Sequence, residues 1–146
     1  MTESFRRLEI SEMDSAAVVH RTAFDECLPR LAGIHSADED RQHFRERVYA
    51  ACTVWGALES GDLLGIIAFR KEWIDHLYVL PRAQNRGIGS ALLKIAKARS
   101  SDLSLWTFQR NERARRFYEI HGFIVVGQTD GSGNEEREPD VLYRWK

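Results

Sequence analysis

Apolar residues recur along this chain with two different spacings, and the changes of spacing predict the order of its strands and helices. Short apolar runs bounded by turn residues predict strands over residues 5–10, 52–58, 63–69, 74–80, 103–108, 123–126 and 141–145. Capping signals predict helices over residues 11–27 and 36–50, and apolar residues at every third or fourth position predict helices over residues 88–96 and 111–121. This order predicts an α/β fold with a mixed, mostly antiparallel central sheet of about seven strands and helices on both faces.

Capping residues support three of the predicted helix starts. Ser11 with Asp14, and Ser36 with Glu39, have the spacing of capping boxes, in which two side chains satisfy the free backbone N–H groups of the first turn. Asn111 is a good N-terminal cap for the last helix.

Length and composition narrow the class of protein. The 146 residues fit one domain, 1–146, with 43% apolar and 29% charged residues. The formal net charge of −1 gives no reason to expect nucleic acid or an acidic membrane as a partner. No apolar stretch is long enough to cross a bilayer, and residues 1–10 are too charged for a signal peptide, so we expect a cytoplasmic protein.

The cysteines and histidines predict neither a disulfide framework nor a metal site. Cys27 and Cys52 are far apart and form no CxxC motif, so we expect two small buried residues in a reduced protein. The five histidines show no zinc-site spacing such as HExxH.

A glycine loop at residues 84–89 is the most informative local feature. It follows the strand that ends near Leu80 and opens a helix, so free N–H groups and the helix dipole form a site for an anion such as pyrophosphate. Gly87 and Gly89 let the backbone approach a ligand closely. The loop lacks the Gly-Lys-Ser/Thr of a Walker loop and the three glycines of the dinucleotide fingerprint. A plain glycine turn is the alternative.

A second motif follows one strand later. It reads Asn111-x-x-Ala114-x-x-Phe117-Tyr118-x-x-x-Gly122-Phe123, and the earlier loop reads Gln84-x-x-Gly87-x-Gly89. Together they resemble the motifs of the GCN5-related N-acetyltransferase (GNAT) family, with every fixed position of the helix motif matched. The motifs cover residues 73–123, and the order of strands and helices fits that family over nearly the whole chain.

The resemblance implies an N-acetyltransferase that uses acetyl-CoA as co-substrate and passes the acetyl group directly to a primary amine. In that family the fourth strand splays from the fifth, a backbone N–H near Val79 stabilises the oxyanion, and Tyr118 matches the general acid. The residues expected to contact the cofactor are Leu77, Tyr78, Val79, Gln84, Asn85, Arg86, Gly87, Ile88, Gly89, Ser90, Asn111, Ala114 and Tyr118. The alternative is a non-catalytic regulatory module that only binds acyl-CoA.

A base is also required, because an alkyl amine arrives protonated at neutral pH. Asp75 is the first choice, acting directly or through a water, and Glu72 and His76 are weaker choices. Arginines at four positions are candidates for the phosphates or are solvated charges, namely Arg82, Arg86, Arg115 and Arg116.

The acceptor site is expected between the first two helices and the loop over residues 129–139. Acidic residues in these segments are either an acidic lip that attracts a small cationic amine or a peptide amine, or solvated surface. They are Asp25, Glu26, Asp38, Glu39, Asp40, Asp130, Glu135, Glu136, Glu138 and Asp140. Trp55, Trp73 and His35 are further candidates for the lining. Many members of the family form dimers, so a homodimer is one expected assembly.

Overall fold

The structure is a computed structural model that describes residues 3–146. Its strands are β1 (Ser4–Arg7), β2 (Thr53–Glu59), β3 (Asp62–Arg70), β4 (Trp73–Val79), β5 (Leu103–Phe108), β6 (Ile124–Gln128) and β7 (Asp140–Trp145). They form one sheet in the order β1-β2-β3-β4-β5-β7-β6. Every neighbouring pair is antiparallel except β4 and β5, which run parallel. The predicted mixed, mostly antiparallel sheet of seven strands is confirmed.

Helices cover both faces of this sheet. They are α1 (Met13–Cys27), α2 (Ala37–His43), α3 (Ile88–Lys97) and α4 (Glu112–Ile120). The chain continues from α2 through a π-helical segment, Phe44–Val48, to a last turn, Tyr49–Ala51. Short segments of π-helix often occur beside functional sites.

Two apolar layers hold the helices to the sheet. On one face, the buried side chains of Met13 and Ala16 in α1 pack with Phe44 and with Ile66 of β3. On the other face, a second cluster joins α3 and α4 to the sheet through Ile88, Leu92, Leu93, Leu105, Tyr118 and Tyr143. The two helical layers therefore meet different faces of β3 and β4, the strands next to the predicted site.

The start of α1 differs from the prediction. The helix begins at Met13, after a 3₁₀ turn over Ile10–Glu12, and the backbone N–H of Glu9 donates to the Glu12 carboxylate at 3.0 Å. Arg45 binds the Asp14 carboxylate at 2.7 and 2.8 Å, so Asp14 is not the capping partner of Ser11. The same 3₁₀ turn explains why β1 ends earlier than predicted.

The other two predicted caps are confirmed. The Ser36 hydroxyl accepts from the N–H of Glu39 while the Glu39 carboxylate accepts from the N–H of Ser36. Asn111 Oδ1 accepts from the N–H of Ala114 at 3.2 Å, which fixes the first turn of α4.

The cysteines are only partly as predicted. Cys52 is buried, but Cys27 is exposed at the end of α1, so the expectation of two buried cysteines was wrong for Cys27. Among residues 3–146, no helix has both the length and the apolar character needed to cross a membrane.

Candidate active site

A cleft opens between β4 and β5 because the two strands pair only at their starts. Trp73 opposite Ser104 is the one registered pair between them in the described residues. On its other side, β4 carries a bulge, since the β3 partners of Ile74 and His76 are consecutive residues and Asp75 between them has none. Beyond these positions the strands diverge around a cleft of about 700 Å³.

The divergence leaves backbone groups of β4 facing the cleft. The N–H of Leu80 donates to Leu64 of β3 at 2.8 Å, so by alternation the backbone groups of Leu77 and Val79 point to the β5 side. Gln84 Nε2 donates to the carbonyl of Val79 at 3.1 Å and ties the glycine loop to the strand. The N–H of Val79 is thus directed toward the space between the strands.

The glycine loop lies at one end of this cleft. Asn85 and Gly87 have left-handed φ values of 65° and 79°, and the first bond of α3 runs from the N–H of Ala91 to the carbonyl of Gly87 at 3.0 Å. The N–H groups of residues 88–90 precede that bond and have no partner within the helix. With the helix dipole they form an electropositive cradle suited to phosphate.

The arginines near the loop have different partners. The guanidinium of Arg86 is bound by the carboxylates of Glu3 and Glu59, and the residue is not part of the cleft lining, so the expected contact of Arg86 with the cofactor has no support from this geometry. Arg113 lines the cleft and donates to Asn85 Oδ1 at 3.0 Å. Arg113 was not predicted from the sequence; its place one turn before Phe117 was the available signal.

Three other arginines lie outside the cleft between β4 and β5 or at its rim. Arg115 donates to the Tyr143 hydroxyl at 3.0 Å, and Arg82 is exposed and outside the lining. Arg116 lines the cleft. Of the four arginines considered for the phosphates, only Arg116 therefore has its side chain at the cleft.

Tyr118 lies in the wall of the cleft. Its side chain is 7% exposed, and its ring packs on Phe123 with centroids 5.5 Å apart. Its hydroxyl has no hydrogen-bond partner among the described protein groups, and burial raises its pKa, so it carries its proton at neutral pH. A buried O–H without a protein acceptor is suited to donate to a ligand atom.

A second cleft, of about 600 Å³, adjoins the first on the side of α1 and α2. Four of the five histidines line it, namely His20, His35, His43 and His76. Burial lowers the pKa of His20 to about 2 and that of His76 to about 4, with neighbouring histidines acting in the same direction on His20. Both side chains are therefore neutral near pH 7.

Asp75, His76 and Tyr78 line both clefts and mark their junction. Arg70 donates to the Asp75 carboxylate at 2.8 and 3.1 Å, and Cys52 Sγ donates at 3.2 Å. Burial favours a raised pKa for Asp75, but these hydrogen bonds and the charge of Arg70 outweigh it and the pKa is lowered. Asp75 is thus a fixed anion at the junction.

Some of the acidic residues expected at the acceptor site line the second cleft, and others are buried. Glu39, Glu135 and Glu136 line the second cleft, and His35 Nε2 lies 3.1 Å from Glu135. Asp40 also lines it, but its carboxylate is buried and bound by Arg21 at 2.8 and 2.9 Å.

Glu138 is 2% exposed, so it is not part of an acidic lip. Trp55, Trp73 and Glu72 line neither cleft, whereas His35 does. No group of three or more potential metal-binding side chains occurs within the described part of the chain.

The family model for the acetyltransferase (GNAT) family matches residues 20–123, well over half of the chain. The chain belongs to the GNAT family. The resemblance read from the glycine loop and the α4 motif is therefore confirmed.

Two proteins named as N-acetyltransferases are similar over part of the chain. Peptidyl-lysine N-acetyltransferase YiaC of Escherichia coli (strain K12) is 34% identical over 83 residues, covering 56% of this chain and 57% of that protein. Probable N-acetyltransferase Rv2775 of Mycobacterium tuberculosis (strain ATCC 25618 / H37Rv) is 35% identical over 86 residues, covering 53% and 49%. The chain spans about half the length of the curated relatives it matches.

Two solved structures share the fold over the whole chain. The apo form of YjaB from Escherichia coli superposes with a TM-score of 0.82 at 21% identity and covers 99% of this chain and 98% of its own. The PaiA N-acetyltransferase of Thermoplasma acidophilum in complex with coenzyme A has a TM-score of 0.75 at 24% identity, covering 100% and 99%. At these identities the likeness shows the fold of the sheet and its helices.

Proposed function

We propose that this chain is an acetyl-CoA-dependent N-acetyltransferase that transfers the acetyl group directly to a primary amine. The observation that carries the proposal is the meeting of two clefts at Asp75, His76 and Tyr78. One cleft ends at the phosphate loop and suits the cofactor, and the other is lined by acids and histidines and suits an amine. Holding both reactants together at the junction supplies much of the rate enhancement.

The cofactor follows the first cleft in this proposal. Its pyrophosphate binds the N–H groups of residues 87–90, and its pantetheine arm runs along the backbone of Leu77 and Val79 as an added strand. Asn85 and Ala114 contribute to the lining on either side of the loop. Arg113 and Arg116 add positive charge near the phosphates.

The chemistry requires one hydrogen-bond donor for the oxyanion and one for the leaving group. The amine lone pair attacks the thioester carbon, and the developing oxyanion accepts from the N–H of Val79. When the tetrahedral intermediate collapses, the C–S bond breaks and the Tyr118 hydroxyl gives its proton to the thiolate. The amine nitrogen loses a proton to solvent, and the tyrosinate regains one from solvent.

Asp75 is the proposed acceptor of the ammonium proton, directly or through a water. The pairing with Arg70 and Cys52 makes its carboxylate a weak base but keeps it anionic and fixed. Such a group binds the ammonium form and receives a proton that a water then removes. His76, neutral and at the same junction, is the alternative base.

The proposed acceptor is a cationic amine, either small or on a lysine side chain. Glu39, Glu135 and Glu136 give the second cleft carboxylates that favour an ammonium group. The relative YiaC is named a peptidyl-lysine N-acetyltransferase, so a lysine peptide belongs among the acceptors to test. A single domain, a cytoplasmic location and a homodimer stay predictions from the sequence.

The test measures release of free coenzyme A thiol from acetyl-CoA with a panel of amines. The panel contains an alkyl diamine, a lysine peptide and, as the control, an amino acid with an acidic side chain. We expect turnover with at least one cationic amine and little with the acidic one. Tyr118→Phe should lower kcat by about 10²-fold, the usual contribution of a general acid.

Two further variants make the result specific. Tyr49→Phe removes a tyrosine hydroxyl outside both clefts and should leave turnover unchanged. Asp75→Asn should raise the KM for the cationic amine far more than the KM for acetyl-CoA. Cofactor binding without turnover on any amine would favour a regulatory acyl-CoA-binding module, and equal rates for the two tyrosine variants would remove Tyr118 from the mechanism.

A further inference from the structure

The imidazole of His121 joins the two helices that line the cofactor cleft. Its Nδ1 lies 2.8 Å from the carbonyl oxygen of Phe117 in α4, and its Nε2 lies 3.0 Å from the hydroxyl oxygen of Ser90 in α3. A carbonyl oxygen can only accept, so Nδ1 carries a hydrogen. In the neutral ring Nε2 then has a lone pair, and the Ser90 hydroxyl must donate to it.

This bond commits the only proton of the Ser90 hydroxyl. Ser90 lies in the first turn of α3 and lines the cofactor cleft beside Gly89. A phosphate is an acceptor, and with its proton turned toward His121 the hydroxyl offers the cleft only lone pairs. The neutral form of His121 therefore withholds a hydrogen-bond donor from the phosphate site.

Protonation of His121 reverses the bond. The imidazolium donates from Nε2 to the Ser90 oxygen, because both ring nitrogens then carry hydrogen. The hydroxyl proton becomes free to point to a phosphate oxygen, and a positive charge is added one hydrogen bond away from it. Both changes strengthen the binding of an anion.

We propose that His121 is a positioning residue that couples its own protonation to the affinity for the cofactor phosphates through Ser90. This inference rests on the proposed use of acetyl-CoA. The cofactor should therefore bind more tightly at lower pH, and its binding should draw a proton onto His121.

The surroundings of the ring are compatible with this coupling. From α4, the Phe117 ring packs on the imidazole with centroids 4.4 Å apart. From α3, the ammonium of Lys97 donates to the backbone carbonyl of His121 at 2.6 Å. Lys97 is the charged side chain that the described contacts place beside His121.

The test is calorimetry of coenzyme A binding at pH 6 and pH 8, a range in which histidine side chains titrate. Measurements at each pH in two buffers with different protonation enthalpies give the protons taken up. The variants are Ser90→Ala, which removes the relay, and His121→Asn, which keeps a donor for the Phe117 carbonyl but does not titrate. The phosphate of coenzyme A titrates equally in all three experiments.

For the wild type we expect a Kd about tenfold lower at pH 6 than at pH 8, in addition to any pH-dependent change that the variants also show. A tenfold difference is about the size expected for one hydrogen bond to a charged group. Proton uptake should be lower for both variants. Parallel pH dependence of Kd in all three proteins would overturn the role of His121 and leave the proposed function standing. Failure of the wild type to bind at either pH would overturn both.

Discussion

His20 and His76 are partly buried between α1 and β4, in the wall of the second cleft. Their ring centroids lie 5.2 Å apart, and the Nδ1 atom of each is buried without a hydrogen-bond partner among the described groups. Such an environment stabilises neutral imidazole because a charged ring would lose its hydration. The lowered pKa values, about 2 for His20 and about 4 for His76, follow from this burial.

This environment predicts an acid-dependent loss of stability. Between pH 7 and pH 5 the unfolded chain protonates both histidines, whose ordinary pKa is about 6.5, while the folded protein does not. The free energy of unfolding should therefore fall with pH, by about 1–2 kcal/mol for each histidine. Urea denaturation at the two pH values measures the fall.

His20→Phe is the informative variant for that measurement. It keeps a ring among Phe24, Phe44 and Tyr78 but removes the titrating group. Its loss of stability between pH 7 and pH 5 should be smaller than that of the wild type by the contribution of one histidine. An equal loss in both proteins would show that His20 is accessible to protons in the folded state.

At the scale of elements, α4 connects local sequence to the site most directly. Asn111 caps its first turn, and Tyr118 lies two turns later in the cleft wall. Asn111→Ala should lower the free energy of unfolding by about 1 kcal/mol, the usual cost of a lost cap. Urea denaturation gives the value.

Asn111→Asp is the matched control for the cap. The carboxylate retains the acceptor for the N–H of Ala114, so stability should stay within a few tenths of a kcal/mol of the wild type. Equal destabilisation by both substitutions would mean that packing of the Asn111 side chain, and not the cap, stabilises the helix.

The elements with strong local signals were predicted well. The periodic apolar face of α3 and the cap of α4 are encoded within a few residues, and both helices lie where the sequence placed them. The start of α1 was mispredicted because Asp14 binds Arg45, which is 31 residues away along the chain. A local capping signal does not contain that competing partner.

At the scale of the whole molecule, the site depends on contacts that no short segment contains. The cleft exists because β4 and β5 are parallel neighbours that pair only at Trp73 and Ser104, while the chain between them forms α3. The sequence predicted the phosphate loop and Tyr118 through a family resemblance. It placed the acceptor site between the first two helices and the loop over residues 129–139, with His35 as a candidate for the lining. It did not predict that His20, His43 and His76 line the cleft there.

Long-range pairing also explains the acidic residues that were misjudged. Arg21 of α1 binds Asp40 of α2, and Glu138 lies 3.4 Å from Arg110. Both acidic residues are buried. The number of acidic residues in a segment does not show which carboxylates are solvated and which are paired with an arginine from another part of the chain.

The glycine loop and the β4–β5 cleft together form the proposed binding site for coenzyme A. A Cβ at Gly89 would lie 3.4 Å from the Phe117 ring, so a tryptophan there has to fill the cleft or displace that ring. Gly133→Trp is the matched control, because a Cβ at Gly133 meets nothing within 4 Å.

The most direct measurement is calorimetry of acetyl-CoA binding to the wild type, Gly89→Trp and Gly133→Trp, with circular dichroism to verify that each is folded. We expect a Kd on the order of micromolar for the wild type and the Gly133 variant and no detectable binding for the Gly89 variant. Equal binding by all three would place the cofactor elsewhere, and no binding by the wild type would contradict the proposed function itself.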